Sequence, residues 1–125
     1  MHELPFVMRL LEEAGQAAES QGLTRITELK VRVGALSGIE PECVRLYFET
    51  AAEGTPAEGA ALLIDTEPAR LICGDCAHAF PYIPSRSEGE HEPFRCPVCG
   101  GEGVLDRKSA GKAELISLKG CEEQE

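Results

Sequence analysis

The chain has 125 residues, enough for one modest core or for a small core plus a metal-stapled lobe. Its composition is globular, with 42% hydrophobic residues but only four Phe, two Tyr and no Trp. A formal net charge of −10 repels phosphate backbones, which argues against nucleic acid as the main partner and is compatible with cation handling.

Leu4 to Gln21 is predicted to be a helix, with Leu4, Val7, Met8, Leu11, Ala14 and Ala18 as its buried stripe. Pro5 suits the first turn and Gly22 the C-terminal cap. Arg25 to Gly34 alternates, with Thr27, Leu29, Val31 and Val33 on one side and Glu28, Lys30 and Arg32 on the other, which predicts a strand with one wet face. After a turn over Ala35 to Glu40, Pro41 opens a second helix reaching about Glu53, and Gly54 stops it. Its expected buried stripe is Val44, Tyr47, Phe48 and Ala51. Ala61 to Thr66 is a second strand with Leu62 and Ile64 inward. Strand, helix, strand forms a crossover unit, so these two strands should be parallel neighbours.

The back half carries Cys73-x-x-Cys76 and Cys96-Pro97-Val98-Cys99-Gly100-Gly101, with residues 77–95 between the pairs. Each C-x-x-C turn converges two thiolates on one point, and the spacing fits a zinc ribbon. Four sulfurs leave no vacant coordination position, so the expected site is a closed, tetrahedral, structural zinc, with two disulfides or a rubredoxin-like iron as alternatives. Between the pairs, Pro81, Pro84, Gly89 and Pro93 allow little beyond a short strand near Ala79 to Tyr82. Val104-Leu105 is expected to pair back within the ribbon, and Ala113 to Leu118 to rejoin the first sheet. The expected fold class is therefore α/β (α+β): a small two-helix, three-stranded mixed-sheet domain over residues 1–68 plus 109–125, with an inserted zinc-ribbon-like domain over residues 69–108.

Within that lobe Arg70, Arg86, Arg95, Arg107 and Lys108 face Asp75, Glu88, Glu90, Glu92, Glu102 and Asp106, a near-neutral balance that does not suit a nucleic-acid ribbon. Cys43 and Cys121 read as a small core residue and an incidental thiol. No Ser-His-Asp set or Gly-rich phosphate loop is visible and Cys43 has no obvious His partner, so no catalytic nucleophile is assigned. The opening residues hold no basic n-region and no segment is long enough to span a membrane, so a cytoplasmic, reducing location is expected, where paired cysteines favour metal over disulfide.

Of the three histidines, His78 and His91 flank the cysteine pairs and read first as exposed loop residues. His2 differs by its position. A free amine on Met1, the next backbone nitrogen and the imidazole Nδ1 of His2 can close adjacent five- and six-membered chelate rings, and Glu3 adds a carboxylate and another backbone nitrogen. Nitrogen-rich, square-planar coordination of this kind suits Ni(II) or Cu(II). The amine must deprotonate to bind, so affinity should rise with pH through its ordinary range of about 7.7–8.0. From spacing alone, a His at position 2 is more often incidental.

Met1-His2-Glu3-Leu4, Val33-Gly34-Ala35-Leu36-Ser37, Glu40-Pro41-Glu42, Glu58-Gly59-Ala60 and the two cysteine turns resemble, in order and through nearly the whole chain, the HypA/HybF family of nickel-incorporation proteins. The resemblance implies a metallochaperone that binds nickel at Met1, His2 and Glu3 and delivers Ni(2+) as transient cargo for [NiFe]-hydrogenase maturation, and in some bacteria for urease. It implies structural Zn(2+) on Cys73, Cys76, Cys96 and Cys99. The implied partners are a HypB-type nickel-handling GTPase and the hydrogenase large-subunit precursor, with a homodimer left open and neither nucleic acid nor membrane involved. In some relatives a zinc-lobe His completes the nickel site, and His91 is the nearest candidate here. The rival from another class is a zinc-ribbon regulatory or nucleic-acid-binding adaptor with an incidental His2.

Overall fold

The computed structural model describes residues 2–82 and 94–122. Helix α1 (Glu3–Ser20) leads into strand β1 (Arg25–Gly34), helix α2 (Pro41–Ala51) and strand β2 (Ala61–Glu67). Strands β3 (Ala69–Cys73), β4 (Ala79–Tyr82) and β5 (Gly103–Asp106) follow, and β6 (Ala113–Cys121) closes the chain. They form two three-stranded sheets, ordered β2-β1-β6 and β4-β3-β5. The first is mixed. β2 runs parallel to β1 with Leu29 beside Leu62, as a helical crossover requires, and β6 runs antiparallel with Leu29 beside Leu118. The late strand over Ala113 to Cys121 thus returns to the first sheet after an excursion through the second.

Phase is where periodicity misled. The apolar residues of α1 crowd its first three turns, so several stripes fit the pattern. The buried face is Phe6, Val7, Leu10, Ala14 and Ala18, whereas Leu4 and Met8 are exposed and Leu11 only half-buried. The face is chosen by what it meets, namely Leu29 and Val31 of β1 and Val44 and Phe48 of α2 in one core. Tyr47 of α2 is likewise exposed, and the helix ends at Ala51 rather than near Glu53. Gly54 then takes the left-handed φ of 76° at the turn that follows.

In β1, Leu29, Val31 and Val33 are buried as the alternation predicts, but Ile26 replaces Thr27 on the inner side. The register against β6 slips between Ile26 and Glu28, and this bulge adds one residue and inverts the alternation before it. Each fully buried Leu or Ile in this core contributes roughly 1.5–3 kcal/mol.

The second sheet has far less to hold it. β3 is its central strand, antiparallel to both neighbours, and runs straight into the first cysteine turn. Its core consists of Leu71, Phe80, Cys73 and Cys96, with Tyr82 and Leu105 packed against them. Two of the four buried members are thiols. So small an apolar cluster does not offset the ordering of its residues without a further staple.

The two sheets meet at the end of β1. The Gly34 N–H donates to the Lys112 carbonyl at 2.8 Å, that of Ala35 to Glu67 at 2.8 Å and that of Leu36 to Ala110 at 2.9 Å. A Cβ at Gly34 would run into the Ala110 carbonyl, so the motif needs glycine for close backbone approach rather than for an unusual φ. Beside this junction, Arg70 pairs with Asp106 at 2.5 Å, and its N–H donates to the Ser109 hydroxyl at 2.8 Å.

Candidate metal centres

Two turns of the same design present the four cysteines. In the first, the Cys73 N–H donates to the His78 carbonyl at 2.9 Å and the Ala77 N–H to the Cys73 carbonyl at 3.0 Å. In the second, the Cys96 N–H donates to Gly101 at 2.8 Å and the Gly100 N–H to Cys96 at 2.9 Å. Asp75 and Cys76 aim their N–H groups at Cys73 Sγ, Val98 at Cys96 Sγ and Gly101 at Cys99 Sγ, each at 3.4 Å. Donors on each sulfur favour thiolate over thiol.

All four sulfurs lie within 4.8 Å of one another, with Cys73 and Cys99 at 3.4 Å and Cys76 and Cys96 at 3.6 Å. Those separations are well beyond a sulfur–sulfur bond of about 2.05 Å. A tetrahedral ion with metal–sulfur bonds of about 2.3 Å needs its ligands about 3.8 Å apart. The donor set and its spacing therefore fit zinc.

The thiols' own acidity favours a cation as well. The N–H groups of Cys76 and Asp75 lower Cys73 to about 7. The Gly101 N–H favours the Cys99 thiolate, but crowding by Cys73 and Cys76 outweighs it and pushes Cys99 up to about 12. Four sulfurs this close do not all ionise unless a positive charge sits among them. With four thiolates engaged, such a site has no vacancy for chemistry.

Cys73 and Cys96 are buried, and Cys76 and Cys99 are exposed. His78 is exposed, with its ring stacked 6.4 Å from that of Phe80. His91 and Met1 lie outside the described residues. Cys43 is half-buried in the first turn of α2, and Cys121 is exposed at the end of β6.

The N-terminal residues stand at the opposite end of the sequence but beside the junction. His2 is the N-cap of α1, exposed, and its imidazole makes no capping bond. Glu3 is the buried charged residue among those described, 6% exposed. His2 opens onto a cleft of about 560 Å³ formed by Pro5, Phe6 and Arg9 of α1, Ser37 and Ile39 of the turn after β1, and Gly111 to Glu114 at the start of β6. Sequence reasoning did not find this cleft, because its walls come from segments far apart in the chain. The one local signal was the helical spacing of His2, Pro5, Phe6 and Arg9.

Fold and sites together define a small α+β protein built around a tetrathiolate metal lobe, with an exposed histidine at its N-terminal end. A family model described as "Hydrogenase/urease nickel incorporation, metallochaperone, hypA" matches residues 1–116. The chain is 38% identical over 119 residues to hydrogenase maturation factor HypA of Caldanaerobacter subterraneus, covering 95% of this chain and 98% of that one. It is 39% identical over 104 residues to HypA of Geobacter sulfurreducens, covering 83% and 86%. It is 34% identical over 122 residues to maturation factor HybF of Salmonella typhimurium, covering 98% of each. The solution structure of the Ni metallochaperone HypA from Helicobacter pylori shares the fold, with a TM-score of 0.61 at 24% identity over 98% of this chain and all of that one. The chain belongs to the HypA family, the nickel-incorporation metallochaperones of hydrogenase maturation.

Proposed function

We propose that this protein chelates Ni(II) at its N-terminus through Met1, His2 and Glu3 and passes it by ligand exchange to a [NiFe]-hydrogenase large-subunit precursor. The observation that carries this reading is the exposed His2 imidazole, which makes no capping bond and stands at the mouth of a cleft. The positive end of the α1 dipole opposes a bound cation modestly, which suits a carrier that must release its metal. Urease maturation is a second recipient within the same reading.

Zinc on Cys73, Cys76, Cys96 and Cys99 is structural in this proposal, holding residues 69–108 as a rigid lobe on the nickel-binding unit of residues 1–68 and 109–125. A nickel-handling GTPase of the HypB type is the proposed partner in loading and release, in the cytoplasm. No helix among the described residues is long and apolar enough to cross a membrane. The protein binds and transfers; it breaks no bond in a substrate.

Nickel titration of the untagged protein tests the reading. Stoichiometric binding should be lost in His2→Ala and in a chain with an N-terminal extension, while zinc content stays unchanged. Binding that survives either alteration refutes the site.

A further inference from the structure

We infer that the solvent-facing seam between α1 and α2 is a docking site for a basic amphipathic helix of a partner protein. The inference goes beyond the nickel reading and does not rest on it.

Both helices run back against β1. α1 reaches β1 through the short connection 21–24, and α2 carries the chain from the end of β1 to the start of the parallel strand β2. They therefore lie parallel to each other, and they share one core over the sheet. Their outer flanks are set by what they touch. Phe6 and Arg9 of α1 line the cleft against β6, and the Arg45 guanidinium of α2 donates to the Leu62 carbonyl of β2 at 2.8 Å. At about 100° per residue, the other flank of α1 carries Leu4, Met8 and Leu11, and the other flank of α2 carries Cys43, Tyr47 and Thr50, with Leu46 at its crest. These two flanks face each other across the seam. Leu4 is 47% exposed, Met8 56%, Tyr47 43% and Leu46 69%. Scattered singly such residues would mean little, but placed side by side they form an apolar patch of the kind that marks an interaction site.

Charge selects the occupant. The rim of the seam holds Glu12 and Glu19 of α1 and Glu42 and Glu49 of α2, all exposed. The arginines of these helices, Arg9 and Arg45, stand on the outer flanks, the first 3.9 Å from Glu13. The opposite face of the sheet is mixed by contrast, with Arg32 beside Asp65 and Lys119 beside Glu28. The acidic rim is therefore a property of this seam and not only of the net charge. A second copy of the chain would set the same carboxylates against themselves, and anionic lipid would be repelled in the same way. Backbone groups within helices are already bonded to one another, so the seam is no template for a strand, and an occupant must bring its own backbone satisfied. A helix with apolar residues at i, i+3, i+4 and i+7 and Lys or Arg on either side meets all of these demands.

The test uses the full, zinc-loaded, nickel-free chain and three labelled helical peptides of about 14 residues. The first carries a Leu stripe flanked by Lys, the second has the same composition with Leu scattered around the helix, and the third has Glu in place of Lys. Fluorescence anisotropy should show the first binding at least tenfold more tightly than either of the others. Amide chemical shifts should move along Leu4 to Leu11 and Cys43 to Thr50, and not on β6. Met8→Ser with Leu46→Ser, both at exposed positions, should weaken binding about tenfold with zinc content unchanged. Glu12→Gln with Glu49→Gln should weaken it also, whereas Glu28→Gln with Glu114→Gln, on the opposite sheet face, should not. Absence of binding, equal binding of the scattered peptide, equal effects of the two Gln pairs, or self-association of the chain through these helices overturns the proposal. Because nickel is absent throughout, failure here leaves the nickel titration unaffected, and failure of that titration leaves this result unaffected.

Discussion

Ala77 and Gly100 occupy the same position in the two cysteine turns, each donating its N–H to the carbonyl of the first cysteine and each with a left-handed φ, 63° and 76°. Only one of the pair is a glycine. An L-residue with a Cβ costs roughly 1–2 kcal/mol in that region, partly offset by glycine's greater freedom in the unfolded chain. Ala77→Gly should therefore stabilise the zinc lobe by up to about 1 kcal/mol, and Gly100→Ala should destabilise it by about 1 kcal/mol. Thermal melting of the zinc-loaded protein checks both signs.

Gly101 follows directly, and its missing side chain is a requirement of the metal site. A Cβ there would stand 2.5 Å from Asp75 Oδ2 and 2.9 Å from Cys73 Sγ. Gly101→Ala should lower zinc affinity at least tenfold, about 1.4 kcal/mol, in competition with a chromophoric chelator. Full removal of zinc, or Cys96→Ser, should melt the β3–β4–β5 sheet while leaving the first sheet folded, because only the first has an adequate apolar core. Amide exchange resolves the two sheets separately.

Gly34→Ala addresses the junction. Its Cβ would collide with the backbone carbonyls of Ala110 and Lys112, which cannot turn aside as a flexible side chain would. A loss of about 2–4 kcal/mol is expected, visible as a lowered urea midpoint with an unchanged slope.

Asp106 gives a pH test. The Arg70 guanidinium beside it, helped by the Lys108 N–H, holds its carboxyl below the usual aspartate range. A depressed folded-state pKa means the stabilisation is present above the unfolded value and is lost as pH falls through the folded one. Wild type should exceed Asp106→Asn in stability at neutral pH, and the difference should begin to shrink as pH drops below about 4 and vanish only below the depressed folded-state pKa. Denaturation midpoints across that range measure it.

Much of this molecule is written locally. The two cysteine turns, the strand from Arg25 with its buried Leu29, Val31 and Val33, the helix start at Pro41 and the return of the last strand all follow from short-range chemistry: thiolate convergence, side-chain alternation and the fixed φ of proline. The ordered motifs identify the family, and with it the interest of His2. What the sequence could not decide were choices between equivalent local patterns. Several apolar stripes are available on α1, and only packing against β1 and α2 selects Phe6 and Leu10 over Leu4 and Met8. A bulge against β6 places Ile26 rather than Thr27 inside. The cleft beside His2 exists only because α1, the turn after β1 and the start of β6 come together there. Local rules set periods and turns, whereas phase and juxtaposition belong to the tertiary structure, since they depend on which surfaces are buried against each other.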